Sequence, residues 1–221
     1  MRFTGHPSSE NGFTRLEGVA VVIVVTLLVA IAWPAFTGTI HGGHTGYIVW
    51  GKEIARAVMA YAADHNGRFP EAQSNANEAY EQLFPDYVLS KRVFVPRRSA
   101  WTPNYPDEAS LKRPGLAVGE NGFAYVRGLN SESNPEFPLV AQGFREGSPG
   151  VYAFDPRRKG GVGSERRAVV IRVDGSGRVE EVNRWDFRVY KKVGFLRKMD
   201  IFAPAPGWLA ADQMPLNPAS E

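Results

Sequence analysis

An uncharged apolar segment near the N-terminus constrains this chain more than any other feature. From Gly18 to Phe36 the sequence reads GVAVVIVVTLLVAIAWPAF, with no charged residue and one hydroxyl group, at Thr26. A helix rises about 1.5 Å per residue, so a helix of this length nearly crosses a hydrocarbon core of roughly 30 Å. The segment therefore predicts a membrane anchor or an export signal at this end of the chain.

Three interpretations of this segment compete. An ordinary signal peptide would use Arg2 and Arg15 as its basic region, Val19 to Val29 as its apolar region and Ala30-Ile31-Ala32 as its cleavage site. An uncleaved signal anchor would hold the chain in the membrane without processing. The third interpretation depends on the residues that come directly before the apolar segment.

Residues 12 to 17 read Gly-Phe-Thr-Arg-Leu-Glu, and the apolar segment follows at once. This resembles the processing motif of type IV prepilins and type II secretion pseudopilins. The resemblance implies cleavage by a prepilin peptidase after Gly12 and N-methylation of Phe13. It also implies that Glu17 is the glutamate used in assembly and that Pro34 is the helix-kinking proline.

The position of Glu17 has a physical reason of its own. A carboxylate at the margin of a membrane segment is unfavourable, since an aspartate at the centre of a helix costs about 2.5 to 3.5 kcal/mol on insertion scales. Cleavage before Phe13 would create an ammonium group one helical turn away, or within reach on a neighbouring subunit. Such a pair would be strong in a lipid-like environment and would help to set the register of assembly.

A second helix is predicted after a glycine-rich juncture. Residues 37–46 contain four glycines, which are expected to loosen or break a helix. Apolar residues then recur at helical spacing and predict a helix over 47–66 with one face on a sheet: Tyr47, Trp50, Ile54, Ala57, Val58 and Tyr61. Asn66-Gly67 offers a left-handed end to this helix, and Pro70 prevents its continuation.

A second resemblance follows this helix. Residues 61 to 70 read YAADHNGRFP, which is similar to the segment that closes the first helix in pseudopilin-like families of planctomycete- and verrucomicrobia-type bacteria. Together, the two resemblances cover roughly the first third of the chain.

The rest of the chain predicts an antiparallel sheet over about 123–193. Short apolar runs recur there, and Asp174-Gly175-Ser176-Gly177 predicts a hairpin turn that needs positive φ values. The expected fold class is α+β and pilin-like, with a long N-terminal hydrophobic helix followed by a small antiparallel sheet domain. The predicted organisation is a leader of residues 1–12, a transmembrane and assembly helix of residues 13–36, the juncture of residues 37–46, a periplasmic domain of residues 47–202 and an extended tail of residues 203–221.

The sequence predicts no enzyme, no cofactor and no metal site. Cysteine is absent, which excludes thiolate zinc sites, a cysteine nucleophile and disulfides. His41 and His44 have no third ligand nearby in the sequence, and single carboxylates such as Asp155 and Asp174 are typical turn formers. The basic residues of 157–167 favour solvated charges beside a loop, and a nucleic-acid partner is not expected.

The predicted function is a structural subunit of a type II secretion pseudopilus or type IV pilus in the bacterial inner membrane, with its domain in the periplasm. Its expected partners are prepilin peptidase, other pilin or pseudopilin subunits, the inner membrane and, indirectly, the assembly platform and its ATPase. Two alternatives stay open. One is an exported binding module with an ordinary signal peptide cleaved near Ala32, and the other is an enzyme anchored by an unprocessed helix.

Overall fold

The computed structural model describes residues 19, 21–26, 42–96, 99–103, 105–111, 113–193 and 197–220. The chain divides into two compact units, residues 1–42 and residues 43–221. In the first unit, residues 19 and 21–26 are helical, and the hydroxyl of Thr26 donates to the carbonyl oxygen of Val22 at 2.7 Å.

The expected fold class is wrong in its first element. Within the described part of the chain, no helix combines the length and the apolar composition that a membrane crossing requires. The one described helix of more than six residues is α1, Gly42–Asp64, which has 23 residues. Its surface includes the charged residues Lys52, Glu53, Arg56 and Asp64, because only one side of the helix packs against the sheet.

Helix α1 begins at Gly42, inside the predicted glycine-rich juncture, and ends two residues before the predicted limit. The helix ends at the left-handed residues that the sequence predicted. Asn66 and Gly67 have φ values of 55° and 79°, and the amide of Gly67 donates to the carbonyl of Ala62 at 2.8 Å. Packing offsets the low helical propensity of glycine at Gly51, where an added Cβ would lie 2.7 Å from Cγ1 of Ile171.

The second unit is built on a five-stranded antiparallel sheet with the order β4-β3-β2-β1-β7. Strands β1 to β4 follow one another as neighbours, whereas the C-terminal β7 returns to pair with β1. The strands of this sheet are β1 Phe123–Val126, β2 Pro138–Gln142, β3 Arg167–Arg172, β4 Gly177–Glu181 and β7 Pro215–Leu216. A separate antiparallel pair consists of β5 Tyr190–Val193 and β6 Arg197–Asp200.

Helix α1 packs against the sheet at β1, β3 and the start of β4. The rings of Tyr47 and Phe123 meet edge to face at 5.3 Å, and Gly51 lies against Ile171. Residues of β1, β2 and β3 are buried almost throughout, so these strands are covered on both faces. Three short helices complete the unit: α2 Ala76–Glu81, a 3₁₀ helix Lys91–Phe94 and α3 Glu108–Leu111.

The C-terminal residues differ from the predicted extended tail, because the domain incorporates them. Trp208 and Leu209 are buried, and the indole nitrogen of Trp208 donates to the carbonyl of Ile201 at 3.0 Å. Beyond them, Leu216 of β7 pairs with Tyr125 of β1. Of the prolines that suggested a tail, Pro206 lies in a turn and Pro215 begins the edge strand β7, where a missing backbone donor is tolerated.

Candidate functional site

The residues predicted to act in processing and assembly are Gly12, Phe13, Glu17 and Pro34. All four lie outside the described residues, and so does the leader of residues 1–12. The described part of the chain offers a different feature, a cleft in the region between α2 and β1.

The cleft consists of two adjoining cavities of about 480 Å³ and about 330 Å³. They share the side chains of Ser110, Arg113 and Glu120, with Lys91 at the wall of the larger cavity and Tyr105 at the wall of the smaller one. Both are open to solvent. Charged groups of both signs line the cleft, which makes it suitable for a polar ligand rather than an apolar one.

An ion pair between Lys91 and Glu120 organises the cleft. Nζ of Lys91 lies 2.7 Å from Oε2 of Glu120, and the two side chains are 6% and 14% exposed. The same carboxylate accepts hydrogen bonds from the amide of Ala117 at 2.9 Å and from the hydroxyl of Ser110 at 3.0 Å. The carboxylate therefore joins three segments of chain, the 3₁₀ helix, α3 and the turn before β1.

These contacts determine the ionisation of Glu120. Burial raises the pKa of a carboxyl group, but the hydrogen bonds from Lys91, Ala117 and Ser110 outweigh it and lower the pKa of Glu120. A carboxylate with these donors and a lowered pKa is a weak proton acceptor near neutral pH. The arrangement is typical of a structural ion pair and unsuited to a general base.

Two buried asparagines lie beneath the cleft. The side-chain amide of Asn121 donates to Oδ1 of Asn77 at 2.9 Å, while its Oδ1 accepts from the amide of Phe123 at 2.8 Å. Asn77 in turn donates to the carbonyl of Leu116 at 3.2 Å and accepts from the amide of Ala219 at 3.2 Å. The network connects α2 with the start of β1 and the C-terminus, so its role is to hold the fold together.

The histidines described by the structure lie on or next to α1. Nε2 of His44 is 3.2 Å from Oε2 of Glu165, and the ring of His65 stacks on Tyr61 with a centroid separation of 3.7 Å. Among the residues that the structure describes, no group of three or more His, Cys, Asp or Glu side chains could hold a metal ion. His41, the other histidine of the predicted juncture, lies outside those residues.

The basic residues of 157–167 are spread around an ordered turn. Asp155 acts as a turn former, since its Oδ1 accepts from the amide of Arg157 at 2.9 Å. Lys159 pairs with Glu146 at 2.7 Å and lies 4.8 Å from the centre of the Trp101 ring. Gly160 packs tightly against the backbone of residues 144–145. The cluster is therefore partly neutralised.

Burial raises the pKa values of four core tyrosines, Tyr47, Tyr80, Tyr125 and Tyr152. The pKa of Tyr47 rises to about 12. The hydroxyls of Tyr80 and Tyr125 donate to the carbonyls of Ala124 and Pro70 at 2.9 Å and 2.8 Å. They are hydrogen-bond donors within the core rather than proton-transfer groups.

The chain was compared with protein-family models, with curated proteins and with solved structures. No family model, no curated protein and no solved structure matches it.

Two further features of the described residues were not anticipated from the sequence. One is the Lys91–Glu120 pair, whose members are 29 residues apart in the chain. The other is the β5–β6 hairpin. A sequence signal for it does exist, since two short segments, 190–193 and 197–200, are separated by three residues that include Gly194.

Proposed function

We propose that this chain is a structural subunit of a type II secretion pseudopilus or a type IV pilus. Prepilin peptidase removes residues 1–12, Phe13 becomes the methylated N-terminus, and the apolar N-terminal segment mediates polymerisation. The observation that carries the proposal is the sequence Gly12-Phe13-Thr-Arg-Leu-Glu17 directly before 19 uncharged residues. A glycine, a phenylalanine and a glutamate at this spacing beside a single apolar segment form a specific combination.

The second unit supports this proposal. Residues 43–221 form a compact unit of their own, in which a helix packs on an antiparallel sheet. Such a unit can be carried by a separate N-terminal segment that is used for assembly.

The proposed location follows from the same segment. The domain lies in the periplasm, and the chain is held in the inner membrane until it is extracted into a filament. The partners are prepilin peptidase and other subunits, together with the assembly platform and the ATPase that does the work. No nucleic-acid partner and no cofactor are part of the proposal.

The N-terminal residue and the intact mass of the protein test the proposal. The chain is expressed in a host with prepilin peptidase, purified from membranes and compared with a G12V variant, which blocks the cleavage. N-methyl-phenylalanine at Phe13 in the wild type and an uncut G12V chain are the expected results. A start at Trp33 would instead indicate an ordinary signal peptide and an exported binding module. An uncut wild type would indicate an unprocessed anchor.

A further inference from the structure

The end of the β5–β6 hairpin at which Val193 pairs with Arg197 carries three cations. The last two positions of β5 are Lys192 and Val193, and the first two of β6 are Arg197 and Lys198. All four residues are exposed.

The register places two of these cations against each other. Lys192 pairs directly with Lys198, and Val193 pairs with Arg197. Like charges at directly opposite positions of an antiparallel pair destabilise it. A cavity of about 160 Å³ is lined by Lys192 and Lys198 together with Tyr190, Asn183 and a single carboxylate, that of Glu181.

Within the described residues, the cations near the Tyr190–Asp200 end of the hairpin have counterions, and those near its Val193–Arg197 end do not. Lys191 pairs with Glu136 and lies 4.8 Å from the centre of the Trp208 ring, and Arg188 pairs with Asp200. Within the described part of the chain, Lys192, Arg197 and Lys198 belong to no ion pair of 4.0 Å or less. The positive charge is therefore least neutralised where the hairpin is most exposed.

The hairpin carries a local excess of positive charge. Residues 190–200 contain four basic residues and one aspartate, which gives them a formal charge of +3. The complete chain has the same formal charge, so all the other residues together sum to zero. An approaching anionic surface would thus meet a locally positive region at this hairpin.

Exposed apolar groups lie on the hairpin and in the turn before it. The side chain of Val193 is 44% exposed, and that of Trp185 in the preceding turn is 77% exposed with the guanidinium of Arg184 at 4.1 Å from its ring. The turn is joined to the hairpin, since the hydroxyl of Tyr190 donates to Asp186 at 2.6 Å. Tryptophan and long cationic side chains are the residues that favour the headgroup region of a membrane.

We infer that the Val193–Arg197 end of the β5–β6 hairpin docks on anionic phospholipid headgroups, with Lys192, Arg197 and Lys198 against the lipid phosphates. The inference rests on the proposed function only in that it takes the chain to be held at a membrane. The alternative explanation is that the lysines protect two edge strands from pairing with other chains. That explanation predicts no dependence on lipid charge.

Hydrogen exchange on the full chain distinguishes the two explanations. The protein is reconstituted in nanodiscs of phosphatidylcholine alone or with phosphatidylglycerol, and amide exchange is followed in the peptides covering 190–200 and 167–181. We expect slower exchange in 190–200 on the anionic nanodiscs and no change in 167–181. Each cation near an anionic surface strengthens binding roughly fivefold, so K192Q/K198Q lowers the ratio of docked to free hairpin roughly 30-fold.

The matched control is R157Q/R158Q, which removes two exposed cations elsewhere on the domain and changes the net charge equally. It retains the protection if the hairpin is the docking site, and an equal loss of protection in both variants would overturn the inference. Equal exchange on neutral and anionic nanodiscs would overturn it too. So would the same protection on phosphatidylcholine with inorganic phosphate added, since free phosphate would then be the ligand.

Failure of the inference is separable from failure of the proposed function. Flotation with phosphatidylcholine vesicles reports whether the chain is held in a membrane at all. A chain that floats but shows no lipid-dependent protection in 190–200 would retain its anchor and lose the hairpin contact. A chain that does not float with neutral vesicles contradicts the membrane location, and its flotation with anionic vesicles then tests the hairpin alone.

Discussion

Nζ of Lys91 lies 2.7 Å from Oε2 of Glu120, and both side chains are largely removed from solvent. A second lysine–glutamate pair, Lys159 with Glu146, has the same separation of 2.7 Å but is 29% and 50% exposed. The two pairs have the same chemistry and differ in burial, so they are matched probes of what burial contributes to an ion pair.

Replacing Lys91 with methionine is expected to lower the free energy of unfolding by about 3 kcal/mol, because it leaves the Glu120 carboxylate buried without its cation. The value lies at the low end for buried pairs, since Glu120 keeps some contact with water. The matched variant K159M is expected to lower the free energy of unfolding by less than about 1 kcal/mol. Urea unfolding of both variants measures the two losses of stability. Equal losses would contradict the conclusion that burial makes the Lys91–Glu120 pair the more important one.

The stability of the domain is expected to depend on pH through Glu120. Its pKa is lowered in the folded state despite burial, because the hydrogen bonds from Lys91, Ala117 and Ser110 favour the ionised form. The resulting stability is therefore present above the pKa of the unfolded chain, about 4.3, and is lost as the pH falls through the folded pKa. The difference in the free energy of unfolding between the wild type and E120Q should become smaller below about pH 4. Parallel pH profiles for the two proteins would contradict this prediction.

Two glycines of α1 should respond in opposite directions to alanine. At Gly51 an added Cβ would lie 2.7 Å from Cγ1 of Ile171 in the core, so G51A is expected to cost about 1 to 3 kcal/mol. At Gly46 the nearest atom, on Trp50, would be 3.8 Å away, so G46A is expected to stabilise the helix by about 0.5 to 1 kcal/mol. Thermal unfolding of the two variants, followed by circular dichroism, measures both effects. Destabilisation by G46A would show that α1 does not extend through its N-terminal glycines.

Glu17 and Glu10 are the matched pair for the proposed assembly function. E17Q removes a charge-assisted hydrogen bond to the new N-terminal ammonium, worth about 1.5 to 3 kcal/mol, so incorporation into filaments should fall about tenfold or more. Cleavage before Phe13 should continue. E10Q changes only the leader and should leave incorporation at the wild-type level. The measurement is the amount of subunit in sheared filaments relative to membranes, and normal incorporation of E17Q would contradict the proposed role.

Local signals in the sequence predicted local structure well. The end of α1 at Asn66-Gly67 has the positive φ values that these residues favour. The turn between β3 and β4 also agrees: Gly175 has a φ of 76°, and Oδ1 of Asp174 accepts from the amide of Ser176 at 2.8 Å. In both places the residues that define the conformation lie next to one another in the chain.

Predictions that depended on distant partners were less accurate. The four glycines of residues 37–46 were expected to loosen or break a helix, and α1 begins inside this segment, at Gly42. The C-terminal residues have no periodicity, but β7 pairs with β1 and Trp208 meets Phe137 at 4.8 Å between ring centres. Propensity alone contains no information about such partners.

The sequence by itself determined the apolar N-terminal segment, the motif before it that resembles a prepilin processing site, the approximate end of α1 and the Asp174–Gly177 turn. These features depend on composition or on residues a few positions apart, and their energies are local. Only the tertiary structure decided that the last residues complete the sheet, that Lys91 meets Glu120, and that Lys192, Arg197 and Lys198 lie together at one end of the hairpin. Each of these arises from long-range contacts, whose stability depends on burial and on the charges that the fold brings together.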